Sequence, residues 1–242
     1  DAYYKRGNAN YKLGKLADAI NDYTNAIKLN KDYTQAYRNR GIARYESCKV
    51  GACEDLKKAG KIRWAGVCNC WQPELEALQA VAPVSSNQPM YSMLDRKIEE
   101  NVLGWCDQNN SGLLVYSPMH SGVLTGKISH QWLDSLPQND WRKHKTDHPV
   151  VKPLHSKDGL QAFLILQEEL RLFAQEREMT IGQLAVCWAL SPREVTSAIV
   201  GARKSGQILE TVQASNNSLS QDDKNLIMKY ITKFEESLDH AG

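Results

Sequence analysis

This sequence contains no apolar run approaching the roughly 18 to 20 residues that span a bilayer, and no secretory signal is visible in it. It starts at Asp1, which leaves its true N-terminus open. It also lacks a surplus of either charge. Thirty basic against 28 acidic side chains leave a net +2 over 242 residues, so there is no bulk electrostatic case for nucleic acid or an anionic membrane, and any anion site must be local. Cysteine is sparse for a disulfide scaffold. The six thiols, at 48, 53, 68, 70, 106 and 187, read more simply as those of a reducing cytoplasm. Cys48, Cys53, Cys68 and Cys70 do not have the paired two-residue spacing of a structural zinc knuckle. His144 and His148 are four apart but lie among charged residues and Pro149, which reads as a solvated loop and not as a metal site.

The 42% hydrophobic content suffices for an ordinary core, in one large domain or two small ones. Residues 1 to about 60 carry a repeat. Tyr3, Arg6, Gly7, Ala9 and Tyr11 recur 34 positions on as Tyr37, Arg40, Gly41, Ala43 and Tyr45, and Ala19, Tyr23 and Ala26 recur 33 on as Ala52, Leu56 and Ala59. Gly7, Ala9, Ala19 and Ala26 are expected to let paired helices approach, with Tyr3, Tyr23 and Tyr37 filling the space between them. From Lys61 the pattern alternates strand and helix: strands at 62–67, 84–88, 113–116 and 196–200, and helices at 73–81, 94–109, 159–178, 180–190, 204–214 and 221–238. Thr180 and Ser220 are the expected N-caps. Residues 127–156 read as a long loop with a short helix near His130 to Leu136. Such alternation implies an α/β class with a parallel sheet and right-handed crossovers.

The stretch Leu113 to Lys127, LLVYSPMHSGVLTGK, organises this second region as a buried strand running into a binding loop. With Gly60 to Cys70 (GKIRWAGVCNC), Ala82 to Ser92 (APVSSNQPMYS) and Thr196 to Gln207 (TSAIVGARKSGQ), it resembles the aldo/keto reductases. The resemblance covers about residues 56 to 238 and corresponds to the second half of that family's (β/α)8 TIM barrel, four strand–helix units out of eight. The repeat at 1 to 59 resembles the tetratricopeptide repeat. It is either a groove for a partner peptide or a leftover piece of a longer array, since fewer than two complete units are present. Glu54 to Ile62 fits both the end of the second repeat and the helix before the fifth barrel strand, as a fusion between similar helices, or a defective gene model, would produce. The expected domains are therefore a tetratricopeptide-like segment at 1–59 and a half barrel at 60–242.

The resemblance implies a nicotinamide dinucleotide, NADP(H), as cofactor. It places the ring of Tyr116 on the nicotinamide, with a core tyrosine as the plain alternative, and the side-chain amides of Asn69 and Gln88 on the carboxamide. Cys68 stands where the family has serine. Ser117, Met119, Ser121, Gly122, Leu124 and Lys127 match the loop that follows the pyrophosphate. Gly201 and Arg203 match the 2′-phosphate site, before a helix whose N-terminal amides suit an anion; a solvated arginine is the alternative. Gln207 and Glu210 match the adenosine end, where Thr211 replaces the family's asparagine. The family's catalytic tyrosine, lysine, aspartate and histidine all come from the first half of the barrel, and no residue of 1–60 matches their motifs. The sequence therefore reads as an oxidoreductase fragment with its cofactor half retained, inactive alone, or as an interaction module on a half-barrel scaffold. Four strands would leave edges near 62–67 and 196–200, from which pairing of two copies is expected.

Overall fold

The computed structural model describes residues 1–47, 51–144 and 147–239; Cys48 lies outside them. The chain divides into two compact units, Asp1–Asn87 and Gln88–Gly242.

The first unit opens with four helices, α1 (Ala2–Lys12), α2 (Leu16–Leu29), α3 (Thr34–Glu46) and α4 (Ala52–Lys58), each packed on the next. Small residues set how closely they pack. A β-carbon added to Gly7 would lie 2.7 Å from the ring of Tyr23, and one added to Gly41 would lie 3.0 Å from Leu56. Ala19, Ala26, Ala36 and Ala43 are buried, as are Tyr23 and Tyr37. Two expectations need correction, because Ala9 and Tyr3 both face solvent and the Tyr3 ring instead lies beneath the Arg6 guanidinium. The repeated arginines carry a repeated contact. Arg6 Nε and Nη2 donate to the Asp22 carboxylate, and Arg40 Nε and Nη2 donate to Asp55 at 2.8 and 2.7 Å, so each helical pair is clamped by the same fork. Arg44 adds a further bond to Asp55.

After α4 the chain forms β1 (Gly66–Cys68), α5 (Gln72–Gln79) and β2 (Ser86–Gln88). β1 begins later than the expected 62–67. Gly60 adopts a left-handed φ of 62° and Lys61 N donates back to Leu56 O, so these residues finish the helix before the strand can start. Ser85 N donates to Ala65 O beside the two strands, and Gly66 is glycine where a β-carbon would collide with the Ser86 hydroxyl.

In the second unit β3 (Gly112–Tyr116) pairs in parallel with β4 (Val195–Ile199), Tyr116 opposite Ile199. β3 was expected to be covered on both faces. Instead it alternates: Leu113 and Val115 are buried, whereas Leu114 and Tyr116 on the other face are half-buried. On β4, Thr196, Ser197 and Ile199 are exposed. Helices α6 (Val102–Gln108), α7 (His130–Ser135), α8 (Trp141–His144), α9 (Lys157–Gln175), α10 (Ile181–Ala189), α11 (Gln207–Val212) and α12 (Gln221–Asp239) complete the unit. The long loop thus contains the short helix expected near His130, plus α8. Thr180 caps α10 by accepting from Gln183 N, and Ser220 caps α12 by accepting from Asp223 N. The expected helix at 94–109 is interrupted. Ser92 and Asp95 form a tight two-way bridge and Asn101 is non-helical, leaving a single 3₁₀ turn before α6. Among the described residues no helix is long and apolar enough to cross a membrane.

The clamps in the helical front differ in burial, and their contributions should differ accordingly. Asp55 and Arg40 are both buried, whereas the Arg6 side chain is 63% exposed. Asp55→Asn, which leaves a buried guanidinium unpaired, should destabilise the helices by about 3 to 5 kcal/mol. Asp22→Asn should cost less, because the guanidinium it leaves without a partner stands in water. Urea titrations followed by far-ultraviolet circular dichroism would compare them, and equal losses would contradict this ranking.

Candidate functional site

β3 ends in a loop with unusual backbone geometry. Ser117, His120 and Ser121 hold φ of 56°, 48° and 55°, left-handed values that cost a non-glycine residue roughly 1 to 2 kcal/mol each, and Gly122 and Gly126 follow at 91° and 74°. The turn is closed by His120 N and Leu124 N donating to Ser117 O and Met119 O. Of the residues expected here, Tyr116, Ser117, Met119, Ser121 and Gly122 are half-buried along one run, and Lys127 is exposed beyond it. The Leu124 side chain is buried in the core, so only its backbone can face a ligand.

Two buried polar side chains hold this loop, and neither was singled out from the sequence. The His120 ring is buried, with Nδ1 2.9 Å from Ser92 Oγ. Burial pushes its pKa down to about 4, with a smaller effect in the same direction from His148 and an opposing one from Asp95. Arg142, at the start of α8, is 7% exposed. Its Nε and Nη2 donate to the two Asp140 oxygens at 2.9 and 2.6 Å, and its Nη1 donates to Ser121 O at 3.1 Å. The guanidinium lies over the Trp132 ring of α7, and His155 Nε2 bonds Arg142 O at 2.7 Å. Arg142 holds the Asp140 carboxyl down at about 2, chiefly through its hydrogen bond, and the positive charge of Arg203 acts in the same sense. Around Arg142 the chain thus forms a strap against the loop, while His144, Asp147 and Pro149 are exposed, as expected of a solvated stretch. His148 is half-buried, edge-on to Trp141.

After β4 the chain runs exposed through Gly201, Arg203 and Lys204. The helix expected from Lys204 begins only at Gln207, because Gly206 is left-handed and the Gln207 Oε1 accepts from Arg203 N and Lys204 N at 2.7 and 3.0 Å. Those amides are therefore occupied. Both lie ahead of the first turn of α11. Among the described residues neither Arg203 nor Lys127 forms a salt bridge, in contrast to Arg96, Arg142 and Arg177. Glu210 faces solvent while its carbonyl accepts from Gln183 Nε2. Gln88 is half-buried at the end of β2.

In the first unit Asn69 is exposed just after β1, with φ 55°. Its neighbour Cys70 is clamped by Asn87, which is fully buried in β2: Asn87 Nδ2 donates to Cys70 O at 2.8 Å and Cys70 N donates to Asn87 Oδ1. This orienting amide escaped sequence reading, although a polar residue at the centre of a short strand must find partners. The Asp140-Trp-Arg142 triplet was the corresponding signal in the strap, obscured by the many charges around it.

The aldo/keto reductase family model matches residues 23–232, and the chain belongs to that family. A tetratricopeptide repeat model matches residues 1–33, overlapping the first match at 23–33. The chain is 28% identical over 225 residues to the aldo-keto reductase YhdN of Bacillus subtilis, covering 90% of this chain and 65% of that protein. It is 33% identical over 167 residues to the L-glyceraldehyde 3-phosphate reductase of Escherichia coli strain K12, covering 66% of this chain and 46% of the relative. Among solved structures it is similar to the glycerol dehydrogenase AKR11B4 from Gluconobacter oxydans, with a TM-score of 0.68 and 25% identity over 82% of this chain and 55% of that one. The chain thus spans about half to two thirds of the length of these relatives.

The buried His120 has a consequence for stability. The unfolded chain takes up a proton at this ring near pH 6.5, the folded loop only near 4. The native state is accordingly at full strength above pH 6.5 and loses roughly 3 kcal/mol as pH falls through this window. Urea midpoints at pH 7 and pH 5 should differ for the native chain, and His120→Asn should remove most of the difference. A difference that survives intact would assign it to another group.

Proposed function

We propose that the second unit is the dinucleotide-holding part of an aldo/keto reductase-type oxidoreductase, with NADP(H) as the cofactor. The observation that carries this reading is the loop after β3. Its left-handed residues and glycine follow directly on Tyr116, and Lys127 and Arg203, which form no salt bridge among the described residues, offer cationic side chains for a dinucleotide's phosphates. One relative, the aldo-keto reductase yakc [NADP(+)] of Schizosaccharomyces pombe, is 29% identical over 174 residues.

The residues fit a dinucleotide in chemical type. Tyr116 offers a flat face at a strand end for an aromatic ring, and Asn69 and Gln88 both donate and accept, as a carboxamide requires. Ser117, Met119, Ser121, Gly122 and Leu124 supply loop backbone for a pyrophosphate, with Lys127 adding charge. Arg203, exposed beyond Gly201, takes the 2′-phosphate, and Gln207 and Glu210 border the adenosine. When bound, the nicotinamide would supply the hydride chemistry; the chain's own residues orient it and exclude water. No residue of this chain is assigned as the proton donor to a carbonyl. The division at residues 59 and 60, the half barrel and the fusion to repeats belong to the same proposal, and so does the absence of turnover by the chain alone.

Calorimetry with NADPH and NADH tests the reading. Arg203→Ala should lower NADPH affinity by roughly 1.5 to 3 kcal/mol, the worth of a charged hydrogen bond, and leave NADH nearly unchanged. Equal losses for both would refute the 2′-phosphate assignment. If the native chain binds neither dinucleotide, the second reading gains: an interaction module whose helices offer a groove to a peptide, favoured by the repeat match at residues 1–33.

A further inference from the structure

We infer that Arg142 is a positioning residue for the dinucleotide: it holds the loop after β3 in its left-handed, ligand-ready form without itself touching the ligand. This assignment rests on the proposed function of that loop. Ser121, at φ 55°, has its carbonyl turned onto Arg142 Nη1 at 3.1 Å. Left to itself, a serine prefers ordinary backbone, and an unfavourable conformation persists only where the surroundings fix it. Next to it, a β-carbon on Gly122 would lie 3.0 Å from the same Nη1, so the guanidinium packs directly on the Gly122 backbone.

Arg142 cannot swing away to serve the solvent or a phosphate. Its Nε–Nη2 edge is engaged by Asp140 and its Nη1 by Ser121 O, its plane lies over Trp132, its own backbone carbonyl is bonded by His155, and the side chain is buried. A lysine in its place would carry the charge but not the geometry, because an ammonium is a single point and cannot hold a carboxylate in a fork while reaching a carbonyl on a third side. Asp140 and Trp132 thus aim the arginine, and the arginine aims the loop. The contact falls at the residues assigned to the pyrophosphate, a group NADPH and NADH share. Losing Arg142 must therefore weaken both dinucleotides alike, unlike the loss of Arg203.

Fluorescence titration of the full chain with NADPH and with NADH reads this directly. Arg142→Ala should lower affinity for both by about tenfold or more and by the same factor, and millimolar guanidinium should restore much of the loss by refilling the site. Arg142→Lys should recover only a small part. A folded Arg142→Ala or Arg142→Lys protein that binds both dinucleotides as tightly as the native chain would overturn the assignment. So would a loss confined to NADPH, or a loss that guanidinium leaves unchanged. If the native chain binds neither dinucleotide, the underlying reading fails and this assignment fails with it, an outcome distinct from tight native binding that Arg142 variants leave intact.

Discussion

The second unit depends on a loop that would not keep its shape alone. Three non-glycine residues in left-handed backbone between Ser117 and Ser121 together cost several kcal/mol at roughly 1 to 2 kcal/mol apiece. That is comparable with a sizeable part of a typical domain's stability of about 5 to 15 kcal/mol. The surrounding structure offsets it with buried polar contacts from two directions: Ser92 on the His120 ring, and Arg142 on the Ser121 carbonyl. Strain of this kind, concentrated after a parallel strand's C-terminal end, is where binding loops of α/β barrels are found.

The two units apply the same device, an arginine fork on a carboxylate, to different ends. In the helical front Arg40 and Asp55 lie between paired helices, and the contact recurs in weaker, more exposed form as Arg6 and Asp22. Its repetition at the repeat spacing fits a structural role that fixes how one helix meets the next. In the strap, Arg142 and Asp140 are only two residues apart, so the pair does not join distant elements; it rigidifies the arginine, which then reaches Ser121. Salt bridges as such add little to stability. What they supply here is geometry.

Much of this was legible in sequence where short-range chemistry decides the outcome. The caps at Thr180 and Ser220, the strand ending at Tyr116, the short helix at His130 and the close helix approach at Gly7 all follow from local residue type and appear in the structure. The failures occurred where a local hydrogen bond, from side chain or backbone, competes with regular secondary structure. Gln207 draws in the amides of Arg203 and Lys204 and delays α11, and the Ser92–Asp95 bridge breaks an otherwise helical pattern before α6. The polar residues that orient the loops, Asn87, His120 and Arg142, were hidden for another reason: their partners are 17, 28 and 21 positions away, beyond the reach of helix or strand periodicity.

The central claim is that the loops after β3 and β4 together take a dinucleotide. Hydrogen–deuterium exchange of the full chain with and without NADPH measures this most directly. The account predicts slower exchange on binding at residues 117–127 and 201–210, with the helices of residues 1–47 unchanged. Unchanged exchange in both loops at saturating NADPH, or protection confined to the helical front, would contradict it.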